Sequence, residues 1–166
     1  WIFKDSYVDI VEIDKRHLGW EETFEQSCIY KYNAIAQIEQ SYGFNGIRQF
    51  VKMVGCPNEV GEAYAYKADT TAYRSVLDLM LKDSEDSIIS FAKGFFRHYT
   101  FRNGIDNVIA LLHSLDIKKY ETVIVIPITV APCACQSMWD YIKTLPNYIQ
   151  KEYWTNLNVG IIYEEN

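Results

Sequence analysis

The chain has 166 residues, a formal net charge of −6, and 49% apolar and 15% aromatic residues. That length and apolar share provide for one domain with a sizeable core and exclude wholesale disorder. The acidic balance and scattered basic residues exclude a general phosphate-backbone binder, and the most apolar stretch, Thr122 to Ala134, is too short and proline-broken (Pro127, Pro132) to span a membrane.

Residues 7–14, YVDIVEID, alternate weakly and read as a strand or a frayed helix. Residues 20–43, WEETFEQSCIYKYNAIAQIEQSYG, predict one or two helices closed by Gly43, as a glycine just past a last turn would close them. Four apolar stripes then follow at helical spacing. They are Ile47, Phe50, Val51, Val54; Tyr73, Val76, Leu77, Met80; Ile88, Phe91, Ala92, Phe95, Phe96, Tyr99; and Ile105, Val108, Ile109, Leu112, Leu115. Each sets its apolar groups on one side of a 3.6-residue turn, so packed amphipathic helices are expected. Asn45 and Asn103 are read as N-caps, because a short amide oxygen accepts from first-turn N–H groups. Pro57 suits a first turn, where its missing donor is not needed, and Asp83 to Asp86 begins the third stripe.

The stretch ETVIVIPITVAPCAC, Glu121 to Cys135, is the ambiguous one. A lone strand among helices leaves its backbone groups unpaired, whereas a helix satisfies them internally. A short buried helix from about Lys118 to Ile126, broken at Pro127, is therefore expected. The alternative is α+β, with a small sheet from residues 7–14, 121–130 and 158–163. Beyond it, Met138, Trp139, Ile142, Leu145 and then Ile149, Tyr153, Trp154 resume the helical period around Pro146.

NGIRQFVKMV, Asn45 to Val54, and NGIDNVIALL, Asn103 to Leu112, lie 58 residues apart and share Asn, Gly and Ile. They suggest a helical unit used twice, with repeat units 28–82 and 86–140. The fold class expected is all-α: antiparallel helical hairpins stacked as a short HEAT/TPR-like right-handed array in a single domain, 1–166.

SMWDYIKTLPNYIQKEYW, Ser137 to Trp154, and GIRQFVKMVGCPNEVGEAYA, Gly46 to Ala65, resemble helical-repeat regions of large bacterial multidomain proteins. Some of those proteins carry an NTPase or effector module elsewhere, and some act in defence against phage. The resemblance implies a HEAT- or TPR-like stack and carries over no catalytic residue. Because the sequence starts at Trp1, a fragment of a longer chain is expected.

Candidate chemistry is sparse. Cys133 and Cys135, with His113 as a third ligand, fall short of the four ligands usual for zinc, and read as small core groups. Cys28 and Cys56 need a histidine and an orienting acid to act as nucleophiles, and His17, His98 and His113 sit in no such local pattern. Cys56 precedes a helix start, which makes it the more reactive thiol on paper. Glu21, Glu22, Glu121, Glu164 and Glu165 fall at solvated or terminal positions. The four cysteines are too sparse for a disulfide framework, so a cytoplasmic location is expected. No catalytic residue, cofactor or metal is assigned.

The compositional hint of binding is 13 tyrosines and four tryptophans, residues favoured at protein interfaces. Tyr64, Tyr66, Tyr141, Tyr148 and Tyr163 are the candidate protein-binding aromatics. The expected role is a protein-interaction or scaffold module engaging a protein partner or other domains of the parent chain, with no nucleic acid and no membrane. The alternative is an enzyme domain with cysteine or carboxylate chemistry in a cleft between helices.

Overall fold

A computed structural model describes residues 20–130 and 135–157, the side chains of 20–25 excepted. Among these the chain is all-α, with no strand. The helices are α1 (Trp20–Val51), α2 (Pro57–Ala65), α3 (Thr70–Lys82), α4 (Asp86–Asn103), α5 (Ile105–His113), α6 (Ile117–Tyr120), α7 (Val125–Val130), α8 (Gln136–Lys143) and α9 (Asn147–Asn156).

The stripes become the core. Ile47, Val51, Tyr73, Val76, Leu77, Met80, Ile88, Phe91, Ala92, Phe95, Phe96, Val108 and Leu112 are all buried. α4 lies at the centre and touches α1, α2, α3, α5 and α7. Its rings meet those of α3 closely: Tyr73 lies 4.7 Å from Phe96 and 5.0 Å from Tyr99, centroid to centroid. A second packing group joins α7 to α9 and α5 to α8 through Ile128, Met138, Ile142, Ile149 and Tyr153.

α2 and α4 approach backbone to backbone. A Cβ on Gly61 would meet the Phe91 carbonyl oxygen at 2.0 Å, and one on Gly94 would meet the Asn58 carbonyl oxygen at 2.0 Å. Only glycine permits that spacing. The contacts advance together along both helices, from Asn58 with Gly94 to Glu62 with Arg97 to Tyr66 with Arg102, so the two run in the same direction.

Gly43, at φ 64 and ψ −170, bends α1, as a glycine closing that helix was expected to do. Gly104, at φ 79 and ψ 153, turns α4 into α5 with no intervening loop. Both backbones lie in a region open essentially to glycine alone. The two corners are 61 residues apart, whereas the 58-residue offset pairs Gly104 with Gly46, inside α1.

Two expected caps are not formed. Asn45 lies inside α1, because the helix resumes directly after Gly43. Asn103 is the last residue of α4 and its Nδ2 donates back to the Tyr99 carbonyl at 2.9 Å, while Gly104 occupies the cap position of α5. The working caps are Asp69, which accepts from the N–H groups of Thr71 and Ala72, and Asp116, which accepts from Lys118 N–H. Pro57 does open α2, and α4 does start at Asp86.

Residues 121–130 are turn and helix, so the strand reading of that segment does not hold; residues 7–14, 131–134 and 158–163 lie outside the described residues. The helix expected over 118–126 is divided: α6 ends at Tyr120 and α7 begins at Val125. A helix running through would drive the Pro127 ring against the carbonyl four residues back and lose a bond. Restarting at Val125 sets Pro127 in a first turn, where no N–H is required.

Candidate functional site: an aromatic and basic surface

The most exposed ring of α4 is Phe101, at 74% of its free surface. It sits one turn from the half-buried His98, ring centroids 6.2 Å apart. His98 in turn faces Tyr66, at 6.4 Å, and Tyr66 faces Tyr32 of α1 at 5.9 Å. Two cations cap this row of rings. The Arg102 guanidinium lies 4.5 Å from the Tyr66 centroid, and Lys67 Nζ lies 5.1 Å from that of Tyr32. Neither cation has an ion-pair partner among the described residues. Arg97, on the same helix, is paired with Glu62.

Local sequence explains the arrangement. Phe101 falls about 200° around the helix from Tyr99, off the apolar stripe that α4 turns to the core. Tyr66 and Lys67 follow directly after α2, and the glycine crossing holds that end against the last turns of α4. Burial holds the His98 imidazole below its ordinary pKa, with Arg102 and Arg97 acting in the same sense and Glu62 against it. Its Nε2 is buried without a hydrogen-bond partner among the described residues. The surface therefore offers a bare aromatic ring, a neutral imidazole and two fixed cations. That combination is suited to an apolar side chain flanked by carboxylates, since ring faces and cations each attract a partner of that kind.

The five aromatics picked from the sequence are placed differently. Tyr64 is buried and its O–H donates to Glu39 Oε1 at 2.9 Å; burial first, then Glu39, push its pKa up. Tyr66 is buried beneath Arg102, so it supports the surface without presenting its ring. Tyr141 is buried edge-on to His113 at 4.9 Å, and burial pushes its pKa up to about 12. Tyr64 and Tyr141 face inward because each lies on the packed face of its helix, whereas Tyr66 caps the end of α2. Tyr148 is 53% exposed and its O–H donates to Glu121 Oε2 at 2.8 Å. Tyr163 lies outside the described residues. Trp154, also about half exposed, packs on Tyr153 at 5.0 Å and Trp139 at 6.4 Å, and forms a second aromatic place at α8 and α9.

Of the cysteines, Cys28 and Cys56 are half-buried, Cys56 immediately before α2, and Cys135 is half-buried immediately before α8. Cys133, His17, Glu164 and Glu165 lie outside the described residues, as do the side chains of Glu21 and Glu22. Among the described residues no three of His, Cys, Asp and Glu come together as a metal would need. No helix among them is long and apolar enough to cross a membrane. Sequence reasoning missed Phe101, although its position off the apolar stripe was a usable signal.

Compared with protein-family models, with curated proteins and with solved structures, the chain matches none of them.

Proposed function

We propose that this chain is a helical protein-interaction or scaffold module, part of a larger protein, and that it engages its partner through the surface around Phe101. The observation that carries the reading is a ring 74% exposed at one end of an aromatic row, Phe101, His98, Tyr66 and Tyr32, over which lie two cations that lack carboxylate partners among the described residues. An exposed aromatic flanked by arginine is the composition of interface centres, where a few such residues dominate binding. The two helix–glycine–helix corners and the resemblance of residues 46–65 and 137–154 to helical-repeat regions support an arrayed architecture.

Photo-crosslinking tests it. Phe101→p-benzoylphenylalanine should give a discrete adduct with a protein partner in cells, and the same group at the exposed Lys151 should not. The adduct should vanish in Arg102→Glu. The same adducts from both positions, or none from Phe101, would defeat the proposal.

A further inference from the structure

A groove of roughly 500 Å³ runs between α3, α4 and α5, lined by Thr70, Arg74, Tyr99, Asn103, Asn107 and Ser114 among others. Arg74 Nη2 donates to Ser114 Oγ at 2.9 Å, and that hydroxyl donates in turn to the Leu111 carbonyl at 2.7 Å. The serine proton is thereby committed to the backbone and its lone pair to the guanidinium. Arg74 has no carboxylate partner among the described residues, so its charge and its remaining donors are unclaimed.

Tyr99 is only 4% exposed, yet its hydroxyl has no hydrogen-bond partner among the described residues. Burial first, then the charge of Asp69, hold its pKa above the ordinary value, so it stays protonated and able to donate. The Asp69 carboxylate is engaged as the cap of α3 by the N–H groups of Thr71 and Ala72, each at 2.9 Å. Asn103 and Asn107 each commit one amide N–H to a backbone carbonyl, at 2.9 Å and 2.7 Å, which fixes their positions in the lining. None of the lining residues is acidic.

A fixed guanidinium and a buried neutral phenol, on different helices, share one acid-free groove. Donors arriving from several directions suit a tetrahedral oxyanion better than a planar one, and arginine binds phosphate oxygens through two N–H groups at once. We propose that this groove binds an oxyanion of phosphate size, with Arg74 and the Tyr99 O–H as its principal donors. The inference stands without the Phe101 surface, none of whose residues lines the groove.

Titration followed by ¹H–¹⁵N NMR tests it, with inorganic phosphate, phosphoserine and acetate as probes against chloride at matched ionic strength. Phosphate should give saturable shifts of Arg74 Nε–H, Ser114 and the Asn107 amide. Phosphoserine binding as tightly or tighter would assign the oxyanion to a modified side chain, and weaker binding to free phosphate; either supports the site. Arg74→Gln should weaken phosphate about tenfold or more, Tyr99→Phe severalfold with the melting temperature retained, and Arg97→Gln not at all. Shifts that fail to saturate, that chloride reproduces, or that survive Arg74→Gln would overturn the proposal. Acetate matching phosphate would overturn the choice of oxyanion.

Discussion

At the scale of single residues, Leu112 and Tyr141 are buried for opposite reasons. Leu112 is fully enclosed at the end of the α5 stripe, where truncation leaves a cavity. Leu112→Ala should cost about 2–5 kcal/mol in urea denaturation, and an unchanged midpoint would place it outside the core. Tyr141 contributes its ring to the core but buries an O–H with no hydrogen-bond partner among the described residues. An unsatisfied buried donor is unfavourable relative to hydrogen at the same place. Tyr141→Phe should therefore stabilise the protein by about 1 kcal/mol, read by the same denaturation, and a loss of stability would reveal a partner for that hydroxyl.

At the scale of elements, glycine sets the arrangement in two distinct ways. At the α2–α4 crossing it supplies closeness: the atoms that a new methyl would strike are backbone, which cannot swing aside. Gly61→Ala and Gly94→Ala should each destabilise by about 1–3 kcal/mol or more, measured by thermal melting. At the corners it supplies a backbone conformation. Around Gly43 and Gly104 there is open space for a Cβ, so a substitution is opposed by its positive φ alone. Gly104→Ala should cost about 1–3 kcal/mol through that strain. The helices were legible because the spacing of Ile88, Phe91, Phe95 and Tyr99 records which side of α4 is covered. The crossing was not, because a glycine within a helical stripe carries no mark of what approaches it. Nor was the inward placement of Tyr64 and Tyr141, since tyrosine has both a ring for the core and a polar end for the surface. Pro127 was read as a stop because its place within a turn depends on where the preceding helix ends.

At the scale of the whole molecule, one acid ties distant parts of the chain together. Asp83, buried at the end of α3, is bonded by Arg48 and Lys52 of the α1 end, and Lys52 also reaches Glu85. The hydrogen bonds from Lys52 and then Arg48 hold its carboxyl at about 2, below the ordinary 3.8. A carboxylate with a depressed pKa contributes its full stabilisation above the ordinary value and loses it as pH falls toward the depressed one. Melting temperature should accordingly fall between about pH 4 and pH 2. Asp83→Asn should be less stable than the wild type at pH 7 and show a shallower decline across that acid window. Parallel declines would assign the acid sensitivity to other carboxylates.

The contact of Gly61 and Gly94 with opposing backbone reaches beyond stability. With no side chains between them to yield, α2 and α4 can neither slide nor rock without breaking the crossing. Lys67 and Arg102 are mounted at the ends of that locked pair, so their separation is set before any visitor arrives. An acidic ligand spanning both would meet two attachment points whose backbones are already in place, and its association would not carry the cost of ordering one helix against the other.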